Sequence, residues 1–227
     1  MFVLSLPLPE LYCSWDSRFT EFLMSARREV NCRVVVSRLA FVPVLFYLFL
    51  GSNAWTDKYR LLEEGLFLLG TFCVGIGVVG RVWSLSYISG KKGFEVVAAG
   101  PYSLCRNPLY LFSLLGGMGV AFCTETITIP VLTLAGFALI YSWTIKREES
   151  LLRALFGPAY DAYCQKVTTR LWPSRKAFSE NVTLTTDAVT FRKSLTDLTL
   201  FIVLIGLIDF LENLHDMGIL PTLFRLY

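Results

Sequence analysis

Apolar runs alternate along this chain with segments crowded with charged and aromatic residues. The runs cover residues 34–50, 61–80, 108–123, 127–145 and 195–211. Each is near the length that a helix needs to cross the hydrocarbon core of a bilayer. Pro43 inside the first run is tolerable with a kink, and Pro130 falls at the first turn of the fourth. Gly70, Gly75, Gly77 and Gly80 in the second run are small residues that let helices approach closely. The triplet Gly75-Ile76-Gly77 has no strand before it, so packing explains it better than a cofactor loop does. Two further segments carry helical periodicity with a polar face. Phe19, Phe22, Leu23 and Ala26 mark one in the stretch 1–33, either an interfacial amphipathic helix or a polar helix packed on the body. Leu151, Leu152, Leu155, Phe156, Tyr160, Tyr163 and Val167 mark another, interrupted at Gly157-Pro158. A Thr-rich connector is expected over 181–193. The pattern predicts an all-α polytopic membrane helix bundle, about five transmembrane helices plus amphipathic interfacial helices. It forms a single membrane domain, 1–227, with a core at 81–173 and a last membrane helix and tail at 194–227.

Composition sharpens this picture. The chain is 54% hydrophobic and only 17% charged, with a mean hydropathy of +0.55, too apolar for an ordinary soluble domain. Its net charge of +3 is carried beside apolar runs rather than on a polar face, so no nucleic-acid partner is expected. The cysteines (Cys13, Cys32, Cys73, Cys105, Cys123, Cys164) form no CxxC pair, and His215 is the sole histidine. A zinc site needs about four clustered ligands, so neither a metal site nor a disulfide framework is expected. The N-terminus contains Pro7 and Pro9 and no basic segment, unlike a cleaved signal peptide. Basic residues set the expected orientation. Arg18, Arg27, Arg28, Arg33 and Arg38 precede the first run. Arg81, Lys91, Lys92 and Arg106 lie in the second loop on that side, and Lys146 to Lys193 supply the third group. This places the N-terminus and both of these loops in the cytoplasm and the C-terminus outside. Asn181-Val182-Thr183 matches a glycosylation acceptor but falls on the cytoplasmic side.

Two stretches carry candidate chemistry, 100–111 and 146–173. Ionisable groups at a membrane boundary are costly and point to a functional site. Asn107 followed by Pro108 is a helix start, which sets Arg106 and Asn107 at the positive end of a helix. That place suits a carboxylate or phosphate ligand. Tyr110 lies one turn further in. Tyr102, Arg106 and Tyr110 could equally be interfacial anchors. Glu148 and Glu149 follow an apolar helix directly, either as charges that end it or as working carboxylates. The amphipathic segment after them could close a pocket against water.

Taken together these stretches resemble the isoprenylcysteine carboxyl methyltransferase and phospholipid methyltransferase group, integral-membrane enzymes that use S-adenosylmethionine. The shared elements are Gly100-Pro101-Tyr102, Arg106-Asn107-Pro108-Leu109-Tyr110, Glu148-Glu149, Phe156-Gly157, Tyr160-Asp161-Ala162-Tyr163 and Pro173. The resemblance covers roughly residues 81–173. It implies an S-adenosylmethionine pocket facing the cytoplasm, walled by Phe94, Glu95, Val96, Val97, Tyr102, Asn107, Pro108, Leu109 and Tyr110. Glu148 and Arg106 would be the catalytic residues, and Thr144, Arg147 and Glu149 would meet the substrate, a lipophilic molecule or lipid entering from the bilayer. Two positions depart from the pattern. Asn107 replaces a histidine, and Asn can hydrogen-bond but cannot shuttle a proton. Thr144 replaces an arginine one turn before Glu148, with Arg147 or Arg170 as candidates to substitute for it. Two alternatives stay open: a sterol-like reductase using NADPH, with Arg147, Arg153 and Arg170 on its phosphates, and a non-catalytic membrane assembly protein of the same fold.

Overall fold

The computed structural model describes residues 51–53, 59–89, 95–174, 178–179, 188–219 and 224–226. The expected interfacial helix in 1–33, the run 34–50, and Phe94, Lys91 and Lys92 lie outside these residues. Six helices follow in order: α1 (Arg60–Ile88), α2 (Pro101–Leu104), α3 (Pro108–Phe122), α4 (Thr128–Phe156), α5 (Pro158–Lys166) and α6 (Ala188–Asp216). Apart from these helices, the regular structure among the described residues is two three-residue strands, β1 (Gly51–Asn53) and β2 (Phe224–Leu226). They pair in parallel, Gly51 opposite Phe224 and Asn53 opposite Leu226, a pairing that no periodicity in such short segments signals.

The helices outrun the apolar runs that announce them. α1 continues eight residues past Gly80, through Arg81, to Ile88, where the pattern predicts a polar loop from Arg81 on. α4 passes straight through Glu148 and Glu149 to Phe156, because Lys, Arg, Glu and Leu are all good helix formers. The two carboxylates therefore lie within a helix rather than ending it. α6 begins at Ala188, inside the expected connector.

α1 packs most extensively on α3 and also meets α6, while α3 also meets α4 and α6. α1 and α3 run antiparallel. A Cβ at Gly70 would meet Gly119 O at 2.6 Å, and one at Gly77 would meet Gly116 N at 2.7 Å and Phe112 O at 2.9 Å. Backbone thus lies directly on backbone, which only glycine permits.

Among the described residues, α1 and α4 are long and apolar enough to cross a membrane. At about 1.5 Å per residue each spans ~43 Å, more than the ~30 Å hydrocarbon core. They turn Leu61, Leu68, Phe72 and Val79, and Val131, Leu132 and Leu139, outward, as lipid contact requires. α3 is apolar but has only 15 residues, too short to cross unaided. The expected run 195–211 falls within α6.

Candidate functional site

The two motif stretches meet at one end of the bundle. Gly100 makes this possible. Its φ of 57° lies in the region that favours glycine, and its missing side chain leaves room for the Tyr87 ring, which a Cβ would meet at 2.4 Å. The turn carries the chain from α1 into α2 and buries Tyr102 and Ser103. Tyr163 of α5 donates to the Tyr102 carbonyl at 2.8 Å. Ser103 Oγ donates to Gly100 O and accepts from Ser179 N. The segment before the turn alternates between two clusters. Val96 packs with Tyr160, Tyr163 and Val167, and Val97 packs with Tyr87, Ala99 and Tyr102. Glu95 is exposed.

At the start of α3 the expected anion site is already filled. Arg106 N donates to Thr169 O and Asn107 N to Arg170 O, both at 3.0 Å. Pro108, buried at the first helical position, has no N–H to offer. Asn107 does not cap the helix with its side chain. Its amide donates instead to Arg170 O at 3.2 Å and to Glu149 Oε1 at 3.4 Å. The carbonyls come from residues 167–174, a strap after α5 that also binds Leu104 O through Thr169 Oγ1 and Ser174 N. Nothing in the sequence pattern marks this strap as a partner of α3.

Glu149 is the hub. Arg106 Nη1 lies 3.5 Å from its Oε1, and Arg170 Nε lies 3.2 Å from its Oε2. Arg106 also donates to Cys164 Sγ and Thr168 O. The family resemblance casts Glu149 as a substrate contact, yet its carboxylate is buried and engaged by three residues. Glu148 is half-buried and accepts from the Tyr110 hydroxyl at 2.5 Å. The Tyr110 ring packs edge-on against Tyr141, which stacks on Phe137. Leu109 is half-buried beside it. Thr144 is buried and turns its hydroxyl to Ile140 O. Arg147 is exposed and lies over Trp143, away from the hub. The structure therefore brings together Tyr102, Arg106, Asn107, Tyr110, Glu148 and Glu149, adds Arg170, and leaves Arg147 and Glu95 at the surface.

Burial governs the site's titrations. It pushes the Tyr102 hydroxyl well up, reinforced by Tyr163 and Glu148, with Arg81 opposing. It likewise raises Tyr160 and Tyr163, and it pushes the Cys105 thiol up to about 11 despite the Asn107 N–H. These groups are therefore neutral near pH 7. Two buried donors of the site, the Tyr102 hydroxyl and Arg106 Nε, have no hydrogen-bond partner among the described residues. Buried donors of this kind call for an explanation such as a ligand. Among the described residues no three His, Cys, Asp or Glu side chains gather to hold a metal.

A family model described as phospholipid methyltransferase matches residues 65–159, from α1 to the start of α5. The strap and Arg170 fall beyond it. The nickel-cobalt-cadmium resistance protein NccN of Alcaligenes xylosoxydans xylosoxydans is 32% identical over 190 residues, 84% of this chain and 87% of that protein. The cobalt-zinc-cadmium resistance protein CzcN of Cupriavidus metallidurans is 31% identical over 194 residues, 86% and 88% of the two chains. No solved structure matches significantly.

Proposed function

We propose, since this chain belongs to the phospholipid methyltransferase family, that it is a membrane methyltransferase using S-adenosylmethionine on a lipophilic acceptor. The observation that carries the reading is the pairing of Tyr110 with Glu148 across α3 and α4, one step from two buried donors that lack a partner among the described residues. The residues suit the cofactor. The Tyr102 hydroxyl and Arg106 Nε can donate to its carboxylate or ribose oxygens, and Glu148 can accept from its amino group. S-adenosylmethionine, when bound, supplies a methyl group already activated on a sulfonium.

The protein's part is then alignment and exclusion of water. Tyr102, Ser103 and Tyr163 form a buried floor. Tyr110 fixes the orientation of Glu148 and, with Tyr141, gives the site an aromatic wall. Where it does not hold the cofactor's amino group, Glu148 takes the proton of an amine or thiol acceptor, a role Asn107 cannot fill. A carboxylate acceptor would need no base. Lipophilic substrates reach this end of the bundle along the exposed apolar faces of α1 and α4.

The reductase alternative asks Arg147, Arg153 and Arg170 to share a dinucleotide's phosphates. Arg147 lies over Trp143, Arg153 pairs with Asp161 and Arg170 with Glu149, so the three are engaged with separate partners. The metal resistance in the relatives' names fits methylation of a membrane component, and we extend that setting to this chain. The deciding experiment titrates purified protein in detergent separately with S-adenosylhomocysteine and with NADPH, reading thermal stability. Stabilisation by the first alone supports the methyltransferase. Stabilisation by NADPH alone overturns it in favour of the reductase.

A further inference from the structure

The two partnerless donors lie on the segment 102–106, and that segment is enclosed. Tyr87 presses on Gly100 from α1, and Tyr163 of α5 is bonded to Tyr102 O. Ser179 is bonded to Gly100 and Ser103, and the strap 167–174 lies over Leu104, Arg106 and Asn107. It has no helical hydrogen-bond ladder of its own, and it exposes Trp172 to 73%. A ligand can reach the buried donors with least disruption where the strap gives way.

Glu149 is gripped by two unequal arms, Arg106 beneath the strap and Arg170 on it. Its inner arm, Arg106, has a side chain only 11% exposed, whereas the outer arm, Arg170, is 54% exposed. An exposed ion pair is weak and screened by salt. A buried carboxylate stripped of every cation is very costly. Parting of Arg170 therefore leaves Glu149 neutralised by Arg106, and the strap is then held only by its hydrogen bonds to Leu104, Arg106 and Asn107, which water can replace as it lifts.

We propose that the strap is a gate over the ligand site, that Glu149 is the positioning residue which latches it, and that Arg170 is the arm that releases. The ligand's identity rests on the function proposed above; the latch does not. Cys105, 1% exposed between Leu104 and Arg106, reports opening directly. In the purified full chain, alkylation of Cys105 by N-ethylmaleimide, mapped by mass spectrometry, should be slow. Arg170→Met should speed it about three- to fivefold, as loss of an exposed ion pair allows. Added salt should speed the wild type but not that variant. Arg170→Lys, which keeps the charge, should stay near the wild type. The S-adenosylhomocysteine off-rate should rise in Arg170→Met by the same factor as alkylation.

Alkylation of Arg170→Met at the wild-type rate would overturn the latch, as would a Lys variant as fast as Met. Faster alkylation with an unchanged off-rate would overturn the gate. Failure of the wild type to bind S-adenosylhomocysteine would instead overturn the cofactor reading, while alkylation still decides the latch.

Discussion

Glu148 and Glu149 are neighbours in sequence, yet they occupy different chemical worlds. Glu148 is half-buried and bonded by Tyr110, whereas Glu149 is buried between two arginines. Glu148→Gln should therefore cut turnover about a hundredfold, as loss of a positioned base does, and leave the melting temperature nearly unchanged. Glu149→Gln should instead lower the melting temperature, because it strands Arg106, and breaking a buried pair costs about 3–5 kcal/mol. Equal and small effects of both changes on turnover and melting would sink this division of labour. Tyr110→Phe removes one hydrogen bond and should cost about 0.5–1.5 kcal/mol in transition-state or cofactor binding; Tyr110→Ala should cost more, because the aromatic wall goes too. At Gly100 the constraint is steric. Gly100→Ala forces a side chain to positive φ and into the Tyr87 ring, so thermal melts should show a loss of about 1–3 kcal/mol.

The glycines of α1 separate by face. Gly77 lies on the backbone of α3, while a Cβ added at Gly75 would meet nothing within 4 Å. Gly77→Ala should loosen the α1–α3 contact and lower the melting temperature. Gly75→Ala should be neutral or stabilise by up to ~1 kcal/mol through helix propensity. Matching shifts for the two variants in a detergent melt would contradict this antiparallel packing. A residue pair two apart in a helix points about 200° around the axis, which is why one triplet serves two surfaces.

At the scale of the whole molecule, the orientation we propose from the basic segments puts both motif stretches in the cytoplasm. In intact cells, a cysteine introduced at Thr56 should react with an impermeant thiol reagent, while one at Lys91 should not. The reverse pattern would invert the orientation. Saturation with S-adenosylhomocysteine at about a hundred times its dissociation constant should stabilise the fold by roughly 2.7 kcal/mol.

Local pattern located the helices and drew notice to most of the residues that the fold gathers at one end. Apolar runs and Pro108 located α1, α3, α4 and α6, since burial in lipid or core demands sustained hydrophobicity. Tyr102, Arg106, Asn107, Tyr110 and Glu148 stood out as candidates because polar groups beside such runs are expensive without a use. Helix ends were not, because Arg81 and Glu149 extend a helix as readily as apolar residues do. Only tertiary structure decided that Glu148 meets Tyr110 while Glu149 lies between Arg106 and Arg170. Residues 168–170 lie about sixty positions from Arg106 and Asn107, yet their carbonyls fill the helix start that the sequence left open to an anion. Backbone carbonyls carry no side-chain signature, so their destination is set by how the chain folds back and not by which residues it contains.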